Sequence, residues 1–220
     1  MPRTKSPERT NAQRHRVLAT AAELFVKNGY HATTMEDIAK SLNMTKPAIY
    51  YYFPSKIAIL YQLHDWTIGL FTDRAAAILK TEDPPDVKLR KMIISHIDTA
   101  VAEMSGVSAL LHEEFALTGK ARAKIVRKRD MYDRMFRRVI QDGIDQGIFV
   151  DCDAALASFY ILGFVNYVPH WYKPDGRLSK EAISESFADM ALGGLLGNRL
   201  EALATTPLTT PHAARGLVEA

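Results

Sequence analysis

Thr45-Lys46-Pro47-Ala48-Ile49-Tyr50-Tyr51-Tyr52-Phe53-Pro54-Ser55-Lys56 crowds three tyrosines, a lysine and a threonine into its part from Thr45 to Tyr52, about two helical turns. In a core helix each of those polar groups would need an interior partner, so the segment reads as a short helix at a wet surface. Thr45 is placed to cap it, Pro47 falls in the first turn where amides lack intrahelical partners, and Pro54 and Ser55 close it. Ile49 and Phe53 are expected to pack inward and Tyr50 and Tyr51 to face out, while Tyr52 stands open between the two. Phenolic hydroxyls, the capping Thr45 and the Lys46 ammonium are groups that donate to phosphate oxygens or reach base edges from a helix N-terminus.

Upstream, the helical spacing of Val17, Leu18, Ala21, Leu24 and Phe25 predicts a first helix from about Glu8 to Asn28, stopped by Gly29. A short second helix is announced by Thr33 and Thr34, three residues ahead of Glu36 and Asp37, and turns Met35, Ile38, Ala39 and Leu42 inward until Asn43 breaks it. Two short helices joined at Asn43-Met44-Thr45 and braced by a longer one have the layout of a helix-turn-helix.

Downstream the helices lengthen. They are expected over Lys56 to about Lys80, Val87 to Met104, Val107 to Leu117 after Gly106, and Lys120 to Gln146 with Gly147 at its end. Another is capped by Asp151 or Asp153 and reaches about Tyr172; the last runs from Ser179 to about Leu203. No stretch alternates with period two, so the fold class is all-α. It divides into an N-terminal three-helix unit over residues 1–56, a C-terminal helical bundle over 57–204 and a flexible tail over 205–220.

At 220 residues the chain is one domain, or a small module joined to a larger one. A composition that is 47% hydrophobic and 24% charged is globular, neither disordered nor membrane-spanning. No apolar run reaches the ~18 residues that cross a bilayer. Met1 to Arg16 is basic and lacks an export segment, so the cytoplasm is expected. Cys152 is the single cysteine, which excludes an intrachain disulfide framework and a cysteine-built zinc site. The charge is uneven: residues 1–56 hold nine basic and four acidic side chains, +5, and the remainder balances at −2. A cation mounted on a mildly acidic body points to a polyanion partner for the first part.

The run from His15 to His64 carries Ala21-Ala22-Glu23-Leu24-Phe25, Gly29-Tyr30, Thr33-Thr34-Met35-Glu36-Asp37-Ile38-Ala39 and the Lys46 to Lys56 segment in order. It resembles the DNA-binding domain of TetR-family transcriptional regulators. The resemblance implies a homodimer whose two recognition helices enter successive major grooves of a palindromic operator, while a ligand in the C-terminal domain changes their separation. Carried over by position, Lys46, Pro47, Ala48 and Tyr50 face bases, and Thr34, Tyr51, Tyr52 and Lys56 hold phosphates. Ala48 offers only an apolar contact, such as to a thymine methyl, so phosphate contacts and a steep salt dependence are expected to supply much of the affinity. Arg3, Lys5 and Arg9 form a basic arm that either reaches DNA or stays a solvated tail.

Leu162-Gly163-Phe164-Val165-Asn166-Tyr167, followed by His170-Trp171-Tyr172-Lys173-Pro174-Asp175-Gly176-Arg177-Leu178-Ser179, resembles the penultimate-helix segment of TetR-type regulators of fatty-acid, sterol and aromatic-acid breakdown. Relatives of that kind respond to CoA thioesters, so the implied effector is acyl-CoA-like and releases a repressor. The last two helices are the implied dimer interface. Some sterol-catabolism relatives carry a charged residue where this chain has Leu162, so a detailed ligand pose does not transfer.

A CoA thioester needs an apolar tunnel and cations for its phosphates. Trp66, Leu70, Phe71, Phe115, Phe159 and Tyr167 are the tunnel candidates, each also readable as ordinary bundle core. Asn166 sits mid-helix among apolar neighbours, where an amide needs partners that a pocket wall provides. Lys120, Lys124, Arg127, Lys128, Arg134 and Arg138 recur at helical spacing, either as a solvated stripe or as a phosphate site; Arg127 and Arg134 are the phosphate candidates.

His96, His112, Glu113 and Glu114 match no compact ligand set, so no metal and no cofactor are expected. Asp151 and Asp153 disfavour a Cys152 thiolate. An acyl-thioester enzyme is the competing class, but the chain has no nucleophile elbow, phosphate-cradling glycine loop or recognisable triad.

Overall fold

A computed structural model describes residues 7–103 and 116–197. Among the described residues there are eight helices and no strand: α1 (Pro7–Asn28), α2 (Met35–Ser41), α3 (Lys46–Tyr52), α4 (Lys56–Leu79), α5 (Pro85–Ala102), α6 (Gly119–Asp145), α7 (Ala154–Trp171) and α8 (Lys180–Leu195). The all-α class is the one read from the sequence. The expected piece at Val107 to Leu117, apart from its last two residues, and the tail at 205–220 lie outside the described residues.

Local chemistry sets the N-terminal elements. Gly29, at φ 83°, turns the chain out of α1 into the left-handed region. Of the two candidate caps for α2, Thr34 does the work: its hydroxyl accepts from the Asp37 amide at 3.1 Å, and the Asp37 carboxylate accepts from the Thr34 amide at 2.9 Å. Thr33 is buried instead, its hydroxyl donating to the Gly29 carbonyl at 2.9 Å. Asn43, at φ 53°, makes the turn between α2 and α3, and Thr45 caps α3 by accepting from the Ala48 amide. Ser55 caps α4 in the same way.

Boundaries differ from expectation at α5 and α8, and at α7 the choice between two caps is resolved. α5 starts at Pro85 rather than Val87, because a proline's missing N–H costs nothing in a first turn. Asp153, not Asp151, caps α7, accepting from the Ala155 and Leu156 amides. α8 ends at Leu195, not near Leu203, since the chain reaches Leu196 as cap and Gly197 at φ 71°.

Two cores form, and α4 belongs to both. Ile59, Leu60, Leu63 and Ile68 pack with Val17, Phe25, Ile38, Ile49 and Phe53, and Leu117, just ahead of α6, and Ile125 of α6 join them. Further along α4, Phe71 and Ala75 pack with Leu89, Ile93 and Ile97 of α5, Phe136 and Ile140 of α6, Ile161 and Val165 of α7, and Ile183 and Leu192 of α8. α5 is tied to α8 by Arg90, whose guanidinium bonds Glu185 at 2.8 Å and also Asp189. α6 bends into the next segment at Gly143, where the Phe149 ring occupies the space a Cβ would take. Among the described residues no helix is long and apolar enough to cross a membrane. α4 is therefore one rigid rod running from the short-helix unit to the middle of the larger bundle.

Candidate nucleic-acid interface and effector cavity

α3 displays what its spacing promised at most positions. Ile49 and Phe53 are buried, and Thr45, Lys46, Pro47, Tyr50 and Tyr51 are exposed, with Ala48 half-buried. Tyr51 is 69% exposed. Tyr52 is 5% exposed, because it follows Ile49 by three residues and shares its inward face. The Tyr51 ring stands edge-on against it at 5.1 Å. A wet surface thus accounts for two of the three phenols, and the third is core.

The cations are engaged within the protein. Lys46 pairs with Glu36 of α2, which raises the lysine pKa and lowers that of the carboxylate through their shared hydrogen bond. The Lys56 ammonium donates to the carbonyls of Tyr30, His31 and Thr33, bracing the α1–α2 connection rather than projecting outward. Thr34 remains exposed at the start of α2 beside its capping partner Asp37. Arg14 of α1 was not singled out from the sequence. Its guanidinium donates to the Tyr52 carbonyl at 2.7 Å and lies 4.4 Å from the Phe53 ring centre, holding the C-terminal end of α3. Arg3 and Lys5 lie outside the described residues.

A cavity of about 340 Å³ opens among α4, α5, α6 and α7. Ile68, Phe71, His96, Tyr132 and Leu162 contribute to its lining, and Val126, Arg129, Asp130, Asp133 and Phe159 carry it to the surface. Of the tunnel candidates, Phe71 and Phe159 line it, as does Asn166. Trp66 is half-buried edge-on to His15 of α1, Leu70 is half-buried away from the cavity, and Tyr167 is exposed against His170. Phe115 lies outside the described residues.

Arg127 and Arg134 are exposed but do not line the cavity; Arg129 does. Val126, Arg129, Asp130 and Asp133 recur at three- and four-residue intervals, so they share a face of α6 rotated from the one that carries Arg127 and Arg134. Within the basic stripe Lys128 is drawn to Asp65 at 2.5 Å and Arg138 to Asp142 at 3.9 Å, so these two are engaged in ion pairs at the surface. Asp133 pairs with Arg137 and accepts from the Ser158 hydroxyl at 2.6 Å.

His96 and Tyr132 form a buried pair with the imidazole Nδ1 3.0 Å from the phenol oxygen. Burial pulls the His96 pKa down to about 3, opposed by the Asn166 side chain, and pushes the Tyr132 phenol up, so both are neutral at pH 7. A lone histidine thirty-six residues from a lone tyrosine leaves no pairing signal in sequence. Cys152 behaves as expected: burial, with Asp151 and Asp153, raises its thiol pKa. No group of three or more metal-ligating side chains occurs among the described residues.

A capped tri-helical unit with an outward-facing short helix, joined through one long helix to a bundle with an internal cavity, has the architecture of a helix-turn-helix regulator of transcription. Residues 17–63 match the family model for bacterial regulatory proteins of the tetR family, and residues 82–195 match the tetracyclin repressor-like C-terminal domain. The chain belongs to the TetR family of DNA-binding transcriptional regulators, and is not an enzyme.

It is similar to the transcriptional repressor KstR2 of Mycolicibacterium smegmatis, 28% identical over 86% of this chain and 94% of that one. Among solved structures it resembles the TetR-family regulator PfmR of Thermus thermophilus, at 30% identity and TM-score 0.77 over 82% and 98% of the two chains. It also resembles AibR in complex with isovaleryl coenzyme A and operator DNA, at 28% identity and TM-score 0.75 over 81% and 97%.

Proposed function

We propose that the protein is a cytoplasmic homodimeric repressor that leaves its palindromic operator when a coenzyme A thioester enters the α4–α7 cavity. The observation that carries this reading is the cavity's polarity gradient. Its inner wall is largely aromatic and aliphatic, as an acyl group requires, with His96 and Asn166 as its polar members, and the charged lining residues Arg129, Asp130 and Asp133 gather on α6 toward the surface, with Arg127 and Arg134 on the adjoining face. The similarity to a regulator solved with isovaleryl coenzyme A and operator DNA supports the same effector class.

In this reading residues 1–56 form the DNA-reading unit, with Lys46, Pro47, Ala48 and Tyr50 toward bases and Thr34, Thr45 and Tyr51 toward phosphates. Residues 57–204 hold the effector and the dimer contact. Two arrangements of the dimer differ in the separation of their α3 helices, and the thioester binds the one that cannot span neighbouring grooves. An effector with equal affinity for both would shift nothing.

Asp130 and Asp133 favour a second reading. They bring negative charge to the same mouth as Arg129, which suits an effector without phosphates. Thermal-shift titration separates the two: a ligand that binds only the folded state raises Tm with occupancy. Isovaleryl-CoA and longer acyl-CoAs should raise Tm and release operator in a mobility-shift titration, while the free acids do neither. Absence of a shift with every thioester removes the coenzyme A assignment.

A further inference from the structure

One buried polar atom in the cavity wall has no partner. His96 is 3% exposed and lines the cavity, with Phe71 lying across its ring at 4.6 Å. Its Nδ1 is engaged by the Tyr132 hydroxyl, and its Nε2 makes no hydrogen bond. Asn166 lines the same cavity and acts on His96 as a polar neighbour that favours the protonated imidazole, although no hydrogen bond of good geometry joins the two side chains.

A neutral imidazole carries one proton. The Tyr132 hydroxyl has His96 Nδ1 as its acceptor, so it donates there and the imidazole proton sits on Nε2 as an unused donor, buried where an unmade hydrogen bond is most costly. Ile68, Phe71 and Leu162 are apolar members of the lining, and the arginine of the lining, Arg129, stands on the exposed side of α6 while His96 is buried. A carboxylate or phosphate would be stranded; an uncharged oxygen would not.

We infer that the effector carries an uncharged oxygen, a ketone or a hydroxyl, on the part that lies deepest in the cavity, where it accepts from His96 Nε2 beside the Asn166 amide. The inference rests on the cavity being the effector site and is independent of the thioester head. It distinguishes an oxygenated acyl group from a plain hydrocarbon one, because a site built to hydrogen-bond an oxygen discriminates strongly against the analogue that lacks it.

The test is calorimetric binding of matched pairs to the full-length protein: cyclohexanecarbonyl-CoA against its ring ketone and ring alcohol, and hexanoyl-CoA against its penultimate-carbon ketone. The corresponding free acids are run in parallel. At least one oxygenated member should bind roughly ten-fold or more tightly than its partner. In the double variant His96→Phe/Tyr132→Phe, which removes both halves of the pair together, that advantage should vanish, so that the two members of each pair bind alike whatever their common affinity. Asn166→Leu should reduce the advantage, and unchanged operator binding by each variant certifies the fold.

The inference is overturned if no oxygenated compound, thioester or acid, binds more tightly than its partner, or if the advantage survives in the double variant. Thioesters that bind without preference sink this inference and leave the coenzyme A reading standing. Oxygenated acids that are preferred while no thioester binds do the reverse.

Discussion

The Lys56 ammonium sits 2.6 Å from the Tyr30 carbonyl oxygen and 4.3 Å from the centre of the Tyr30 ring. It also reaches the Thr33 carbonyl at 2.7 Å, so the first residue of α4 is fastened to the loop that launches α2. Any tilt of α4 driven from the cavity is thereby delivered to the unit that carries α3. Lys56→Met should destabilise the protein by about 1–2 kcal/mol, the cost of charged hydrogen bonds at a part-exposed site. Operator affinity should fall with the slope of log affinity against log salt unchanged. A slope shallower by about 0.9 in anisotropy titrations would mark Lys56 as a phosphate ligand instead.

Glu36 holds Lys46 across the α2–α3 junction, and both side chains are more than half exposed. A duplex approaching α3 meets this carboxylate beside the lysine expected to read it. Glu36→Gln should therefore strengthen binding to operator and to unrelated duplex alike, by roughly a few-fold at low salt, because the gain is electrostatic and blind to sequence. Equal affinities for the variant and the parent on both duplexes would show that the pair does not face DNA.

His64 and His96 are buried and neutral, with pKa values lowered by burial to about 4 and about 3 from an ordinary 6.5; for His64 the Arg129 charge adds to the effect. The unfolded chain takes up a proton at each histidine as pH falls below 6.5, and the folded protein does not until near its own lowered values. Unfolding then binds protons, so stability is full above pH 6.5 and declines below it, by up to about 1.4 kcal/mol per pH unit for each group. Thermal melts between pH 7.5 and pH 5 should show a falling Tm. Replacing both His96 and Tyr132 with Phe should flatten part of that slope. A Tm independent of pH over this range would refute the assignment.

The helix-turn-helix was legible because its determinants are local. Thr34 and Asp37, Thr45 and Ala48, and Gly29 each act within four residues, a distance at which side-chain chemistry fixes geometry. The cavity was only partly legible. Spacing along α6 gave the period of its faces but not which face turns inward, so Arg127 and Arg134 were preferred to Arg129. Trp66 illustrates the same gap: α4 serves two cores, and the sequence does not mark where its inward side passes from one to the other. Tyr52, left open by its mixed polarity and given a phosphate role only through the family resemblance, turns inward as its spacing from Ile49 allows. Lys56 and Arg14 act on main-chain carbonyls of other segments, which carry no signature in residue type.

The outer face of α7 carries Leu156, Tyr160, Phe164 and Tyr167 at three- and four-residue spacing, and Tyr167 is 63% exposed. Met190 of α8 is exposed beside them, and a hydrophobic recess runs between Phe164, Phe187 and Met190. Contiguous apolar surface of this kind marks an interface rather than a solvated face. Gly163, Gly193 and Gly194 are exposed, and a Cβ on any of them would meet nothing within 4 Å, so a partner's backbone is free to approach closely. Phe164→Arg combined with Tyr167→Arg should convert a dimer to a folded monomer in sedimentation velocity. Both positions are solvent-facing in the single chain, so its unfolding free energy should move by no more than about 0.5 kcal/mol per site. Operator affinity should fall more than about ten-fold, since each half-site then binds without the effective concentration its twin supplies. If the double variant still sediments as a dimer, the chains meet through another surface than the outer face of α7.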